Sequence, residues 1–434
     1  MNKLFNYKKI LKNKIKDKTV KIGVIGLGYV GLPLALLFSK KGFFVNGFDT
    51  DKKKIKILNK GKSPIERTNI KEISKLRNKG NFYSNFSNLT ECDVIIISVP
   101  TPLTASRKPD LSFLRSAINT LFKHIKKGQL IILESTSYPG TTREEIVKKI
   151  SNKFTIGKDL FITFSSERIN PGVNDNQIQK IPKVISGYSA NCLFLVNQIY
   201  NNIFEKVVKA KSLEIAEFSK LLENVYRAVN IGFINEMKFV ADKMNLDIYE
   251  IIKIAKTKPY GFRSFNPGPG TGGHCIPIDP SYLYWQALNY GVKAEFIKLS
   301  SETNLKVIDF MKNKIINFTK NDKKKKLLFL GVAYKKNIDD LRESGSIKLA
   351  EKMQNLKYKN IFFSDPHIKK ITNKKSIFKN NLSLKLSKKN LESFDLVIVL
   401  TDHNKFDYKF IKTHSKVIFD CRGKYKVSKK IFRI

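Results

Sequence analysis

The segment Gly272-Gly273-His274-Cys275-Ile276-Pro277-Ile278-Asp279-Pro280 places a thiol after two glycines and shortly before a carboxylate. Flexible glycines can present a sulfur into a cleft, where an acidic or cationic neighbour tunes it as a nucleophile. A plainer reading stands beside this one. A lone cysteine is often a small buried residue, and Asp279 before Pro280 makes a good helix N-cap with proline at the first helical position. His274 reads as loop support rather than as a reacting group. Two further residues, Lys220 and Asn224, lie one helical turn apart and therefore share a face. An inward lysine beside an asparagine can hold a developing oxyanion. A solvated polar pair on a helix surface fits the same spacing.

The second chemical pattern is Gly26-Leu27-Gly28-Tyr29-Val30-Gly31, a G-x-G-x-x-G run. It follows an apolar stretch, Lys21 to Gly26, and opens a helical pattern through Leu32 to Lys40. Asp49 ends the next apolar run at the distance expected of a dinucleotide-binding unit. The first glycine makes the tight turn, the second lets pyrophosphate approach, and the third allows close helix–strand packing, with phosphates at the helix N-terminus. A carboxylate at Asp49 suits ribose hydroxyls and repels a 2′-phosphate, which favours NAD over NADP. An ordinary glycine-rich turn is the bland alternative.

These residues need a scaffold. Apolar runs at residues 43–48, 93–99 and 130–133 alternate with helical patterns, which predicts a doubly wound, mostly parallel sheet. From Ser212 to Met244 apolar residues repeat at three- and four-residue steps, which predicts one helix of about 30 residues. Such a helix suits a connector between domains and a dimer interface. A Gly- and Pro-rich loop follows at residues 266–280. Strand and helix patterns restart at Leu327, with strands at 361–364, 396–400 and 417–420 and a helix at 346–356. The lysine-rich stretch 322–326 reads as the link into that part. Asp395 precedes its apolar run much as Asp93 precedes the earlier one. The expected architecture is α/β: two Rossmann-like doubly wound domains joined by a central helical domain. The expected boundaries are 1–210, 211–320 and 321–434.

Several segments together resemble the UDP-glucose/GDP-mannose dehydrogenase family of four-electron nucleotide-sugar oxidoreductases. They are GVIGLGYVGLPLA, ISVPTPL, ESTSYPGTT, SSERINPG, AEFSKLLENVYRAVNIGFINE, NPGPGTGGHCIPIDP and GVAYKKNIDDLRES, in family order along the whole chain. The forms PGPGTGGHCIPIDP and ESTSYPGTT look most like the branch acting on UDP-N-acetylhexosamines such as UDP-N-acetylglucosamine. Ser166 departs from the family's usual proline before the Glu167-Arg168 pair.

The resemblance implies roles. Cys275 corresponds to the thiol nucleophile, Lys220 and Asn224 to the oxyanion-stabilising pair, and Asp279 to the carboxylate beside the thiol. Glu167 resembles the residue that activates water for thioester hydrolysis, and Thr136 the threonine that orders water near nicotinamide. Tyr29 and Val30 of the glycine loop, Asp49, Lys54, Thr101 and Arg342 fall at NAD-contacting positions. Lys335 and Arg422 fall where members bind the nucleotide sugar, as do Glu167, Lys220 and Asn224. The expected activity is NAD-dependent oxidation of a C6 hydroxyl to a carboxylate through a cysteine adduct, for surface polysaccharide precursors. UDP-glucose, GDP-mannose or a two-electron β-hydroxyacid reaction are the alternatives. A homodimer or higher homo-oligomer, a UDP-sugar substrate and no metal are expected.

Composition bounds the rest. The chain has 434 residues and 81 Lys plus Arg against 37 Asp plus Glu, a formal charge of +44. The basic residues are spread along the chain and mostly lysine, accompanied by abundant Asn, Ile and Phe. That pattern argues against a nucleic-acid-binding arm, although a basic surface attracts anionic small molecules. Four cysteines with no C-x-x-C pair suggest neither a disulfide framework nor a zinc site. Residues 1–19 lack the apolar core of a signal peptide, and no membrane segment is expected. A reducing cytoplasm is the simplest compartment.

Overall fold

A computed structural model describes residues 6–65, 70–168, 175–372 and 377–434. Two stretches discussed above lie partly outside them: the basic start, residues 1–5, and residues 169–172 of SSERINPG. The chain divides into two compact units, Met1–Glu223 and Asn224–Ile434. The division falls inside one helix, Leu213–Lys243, 31 residues long.

The first unit is built on an eight-stranded sheet. Its strands are β1 (Lys21–Ile25), β2 (Phe44–Phe48), β3 (Phe82–Tyr83), β4 (Val94–Ile97), β5 (Leu130–Leu133), β6 (Phe161–Ser166), β7 (Lys183–Gly187) and β8 (Val207–Lys209). They lie in the order β3-β2-β1-β4-β5-β6-β7-β8. The order reverses between β1 and β4, which creates the crevice where doubly wound sheets bind ligands. All pairings are parallel except β6 with β7. Strands β4 and β5 are apolar along their whole length, as expected when helices cover both faces of a parallel sheet. A helix at Tyr7–Lys16 precedes the sheet, capped by the Asn6 side chain, with Leu11 and Ile15 buried in the same core.

The second unit carries a five-stranded parallel sheet: β9 (Leu327–Leu330), β10 (Ile361–Ser364), β11 (Leu396–Val399), β12 (Ile418–Asp420) and β13 (Ile431–Arg433). Its order is β10-β9-β11-β12-β13, again with a reversal beside the first strand. A 25-residue helix, Glu295–Thr319, buries Val307, Ile308, Met311 and Ile315 in this core. The expected α/β architecture with two doubly wound sheets is therefore present.

The two sheets repeat one structural device. Gly26 and Gly331 follow the first strand of each sheet with φ of +92° and +78°, and an added Cβ would meet a backbone oxygen, Ser98 O or Thr401 O, at 2.4 Å. Each turn is pinned by the aspartate following the neighbouring strand. Asp49 accepts from the Leu27 amide at 2.9 Å; Asp365 accepts from the Val332 amide at 2.8 Å. At the opposite end, Asp93 and Asp395 accept from the amides of Lys21 and Lys326 at 3.0 and 2.8 Å. The similarity between Asp93 and Asp395 thus has a hydrogen-bonding basis.

Candidate active site

In the first unit, β1 runs into the glycine loop and then the helix Gly31–Lys40. A Cβ on Gly31 would lie 1.9 Å from Gly26 O, so helix and turn touch there as closely as backbone can. A Cβ on Gly28 would meet nothing within 4 Å. The middle glycine therefore faces open space at a helix N-terminus, the arrangement a pyrophosphate requires. Asp49 follows β2 and is buried. Besides Leu27 N, its carboxylate accepts from the Asp51 amide at 3.0 Å and pairs with Lys54 Nζ at 2.6 Å. Tyr29 is exposed on the same loop and Val30 is half-buried. Loop, Asp49 and Lys54 thus fit a dinucleotide.

The loops after β4 and β5 are tied together. The Val99 amide donates to Ser135 Oγ, which in turn donates to Val99 O, both at 2.9 Å. This fixes Thr101, buried, and Thr136, half-buried, at the carboxyl ends of adjacent strands. Glu167 follows β6 and is nearly buried, with Lys183 Nζ 3.3 Å from its Oε2. The hydroxyl of Ser166 is buried without a hydrogen-bond partner among the described residues. Arg168 turns away to pair with Glu223. Lys220 lies on the long helix and is buried. Glu217, three residues earlier, is buried too. Its carboxylate accepts from the Gly140 amide at 2.6 Å and from the Thr142 amide and hydroxyl at 2.8 and 2.6 Å. Burial pushes the Glu217 carboxyl up to about 7, against the lowering effect of those hydrogen bonds.

In the second unit, Asn224 is buried and donates Nδ2 to Asp279 Oδ2 at 2.5 Å. Lys220 and Asn224 are therefore not the solvated pair their spacing equally allowed. Asp279 also departs from the N-cap reading. The helix is Asp279–Asn289 with Ile278 at the cap, and Asp279 is its first helical residue. The chain tightens before it: Cys275 O accepts from the amides of Ile278 and Asp279 at 3.1 and 2.8 Å. That turn spares Asp279 the capping role and leaves its carboxylate for Asn224. Cys275 consequently sits one turn before the start of that helix.

Cys275 is half-buried, whereas Cys92, Cys192 and Cys421 are buried. Burial pushes the thiols of Cys92 and Cys421 up to about 12 and raises that of Cys192. The glycines before Cys275 have a packing reason. A Cβ on Gly273, at φ +81°, would meet the Tyr334 ring at 2.7 Å, and one on Gly272 would meet Tyr334 Cβ at 2.4 Å. The Gly273 amide donates to Arg342 O at 2.8 Å. The thiol loop is thus laid against the 331–342 loop, which also carries Lys335, half-buried. The Arg342 guanidinium is folded back onto Asp340, 2.7 Å away. Arg422 pairs with Asp402 at 3.2 Å and packs against Gly268, where an added Cβ would lie 2.3 Å from its guanidinium. His274 is half-buried, and burial holds its imidazole below the usual range.

Glu134, Lys183, Glu217 and Tyr334 were not singled out from sequence. Glu217 had a signal, since it shares a helix face with Lys220 and Asn224. Lys183 had one too, as a charge opening an apolar strand.

Three family models match in order: the NAD-binding domain of the UDP-glucose/GDP-mannose dehydrogenase family over residues 20–204, its central domain over 214–306, and its UDP-binding domain over 328–427. The chain belongs to this family. It is 34% identical to protein CapL of Staphylococcus aureus over 95% of this chain and 99% of that protein. It is 33% identical to the UDP-N-acetyl-D-mannosamine dehydrogenase of Methanococcus vannielii over 90% of this chain and 88% of that protein. Among solved structures, a UDP-D-ManNAc dehydrogenase from Pyrococcus horikoshii superposes with a TM-score of 0.85 at 27% identity, covering 96% of this chain and 99% of that one. The chain is accordingly an NAD-dependent nucleotide-sugar dehydrogenase, with NAD as cofactor. No described helix is long and apolar enough to cross a membrane.

Proposed function

We propose that the chain oxidises the C6 hydroxyl of a UDP-N-acetylhexosamine to the carboxylate, with Cys275 as covalent nucleophile, to supply a surface polysaccharide precursor. The observation that carries the mechanism is Cys275 itself. Of the four cysteines it is the one left half-buried, held by glycines pressed on Tyr334 and followed by a carboxylate that Asn224 orients. The substrate class rests on the relatives, named for UDP-N-acetylglucosamine or UDP-N-acetylmannosamine. We assign residues 1–210 to NAD binding, 211–320 to the central domain and 321–434 to the nucleotide sugar, in line with the matched models.

The glycine loop, Asp49 and Lys54, with Thr101 and Arg342, would hold NAD, which would supply the hydride acceptor, one NAD for each of the two hydrides the reaction releases. The residues of the chain do the rest. The Cys275 thiol adds across the C6 aldehyde, forming a carbon–sulfur bond while the carbonyl oxygen takes a proton. This keeps the aldehyde from escaping, and the adduct is again an alcohol-like carbon that can be oxidised, now to a thioester. Lys220 and Asn224 stabilise negative charge on the reacting oxygen in a water-poor setting. Asp279 serves the thiol from the helix start. Thr136 orders water, and Glu167 takes its proton as it attacks the thioester. The carbon–sulfur bond breaks, the carboxylate leaves and the thiol is restored. General-base help of this kind contributes on the order of 100- to 10,000-fold. Lys335 and Arg422 serve the diphosphate of the sugar nucleotide.

The test is a screen of purified protein for NAD reduction with UDP-N-acetylglucosamine, UDP-N-acetylmannosamine, UDP-N-acetylgalactosamine, UDP-glucose and GDP-mannose. A UDP-N-acetylhexosamine should give the highest kcat/KM. Turnover confined to UDP-glucose or GDP-mannose would overturn the substrate assignment.

A further inference from the structure

Behind Glu167 lies a buried charge cluster that the reaction as described leaves unused. Strands β6 and β7 are antiparallel, with Ser166 opposite Val184. Continuing that register by one step sets Glu167 opposite Lys183, and cross-strand neighbours on one face interact directly. Lys183 Nζ lies 3.3 Å from Glu167 Oε2 and 3.0 Å from Oε1 of Glu134, the residue following β5. The side chains are 3% exposed at Lys183, 0% at Glu134 and 9% at Glu167. The Tyr200 hydroxyl donates to Glu134 Oε1, and the rings of Tyr200 and Phe204 stand 5.3 Å from the ammonium.

We propose that Lys183 is the positioning residue of Glu167: its ammonium fixes that carboxylate and sets a positive charge against it, and Glu134 holds Lys183 in place from the other side. This rests on the reading of Glu167 as the base in thioester hydrolysis.

The physical need is plain. Burial favours the neutral form of a carboxylate, and a neutral acid cannot take a proton from water. An opposite charge within 4 Å reverses that preference. Burial alone would push the Lys183 ammonium down, but Glu134 and Glu167 more than offset this and its net direction is up, so it stays charged. Burial raises the Glu134 carboxyl, and Glu167 adds to that through like charge. Solvating the cation is beyond this interior, so both carboxylates are required to keep it there.

The experiment measures kcat against pH for wild type, Lys183→Met, Lys183→Arg and Glu167→Gln, with UDP-N-acetylglucosamine or UDP-N-acetylmannosamine, whichever supports NADH formation. Lys183→Met should move the acid limb upward by about one pH unit or more, the usual effect of removing an adjacent opposite charge. KM for NAD and for the sugar should change by less than about threefold, well under the tenfold that about 1.4 kcal/mol represents. Lys183→Arg should restore the limb to its wild-type position. An unmoved acid limb in a folded Lys183→Met protein overturns the proposal while leaving Glu167 its role, provided Glu167→Gln is slow. A Glu167→Gln protein at full rate removes the role of Glu167 and this proposal with it. If Lys183→Met does not fold, Lys183→Gln is read in its place; failure of both neutral variants to fold makes Lys183 purely structural and also overturns the proposal.

Discussion

Asn224 donates its side-chain amide to the Asp279 carboxylate across 2.5 Å, joining the long helix to the first turn of the helix that follows Cys275. Both groups are buried. Replacing Asn224 with alanine leaves Asp279 without this donor, and such a loss costs about 1–3 kcal/mol of stability. Asn224→Ala should melt at a lower temperature and lose about 100-fold or more in kcat, the usual scale for removing an oxyanion donor. Thermal melting and initial rates measure the two effects. A wild-type rate would detach Asn224 from the chemistry.

Preference for NAD over NADP should follow from Asp49. Its carboxylate already engages Lys54 at 2.6 Å, so the one cation beside it in the described ion pairs is neutralised for a 2′-phosphate. Asp49→Asn keeps one of the two acceptors that serve the Leu27 and Asp51 amides, and frees Lys54. The ratio of kcat/KM for NAD to that for NADP should fall by about tenfold or more, equivalent to about 1.4 kcal/mol. Equal efficiency with both cofactors in the wild type would show that Asp49 does not meet the ribose.

The long helix should form a dimer interface. Ile215, Leu222 and Phe233 each expose more than half of their surface, and Phe218 and Tyr226 are exposed as well. Apolar side chains this numerous on one helix suit burial against a second copy. Sedimentation at micromolar concentration should give a dimer; a monomer would contradict it.

Glu217 makes stability depend on pH. Its folded carboxyl titrates at about 7, above the ordinary 4.5, because burial penalises the charge. Between those values the folded chain holds a proton that the unfolded chain has released. Folding stability from this group is therefore full below about pH 4.5 and declines as pH rises through 7. Denaturant titrations of wild type and Glu217→Gln should show the advantage of wild type shrinking across that window. A constant difference would place the Glu217 titration elsewhere.

Much of this was legible in the sequence because the signals are local. The run Lys21 to Gly26 gave β1 and its turn, and β10 falls on the expected residues 361–364. What was hidden depends on distant partners. Strand β7 opens on a lysine, and nothing nearby says that Glu134 and Glu167, far apart in the chain, will bury it. The Glu295–Thr319 helix exposes apolar Phe296 and Leu299 and buries polar Ser300, Thr303 and Asn304, so an inward apolar spacing emerges only from Val307 onward. The first helix, Tyr7–Lys16, was not read from the sequence; only Leu11 and Ile15, four residues apart, mark its buried face among the lysines. For the site, motif spacing located Cys275 and Asp279, but the role of Asp279 turned on a tight turn at Cys275 O that shifted the helix start by one residue.

The central claim is that Cys275 bonds to the substrate carbon between the two oxidations. The most direct measurement is NADH formed per sugar consumed, with mass analysis of the product, for wild type, Cys275→Ala and the alanine variants of Cys92, Cys192 and Cys421. Wild type and, apart from stability losses, the variants of the three buried cysteines should give two NADH per uronate. Cys275→Ala should fail to complete the second oxidation at any comparable rate. Uronate and two NADH from Cys275→Ala at near-normal rate would contradict the covalent mechanism.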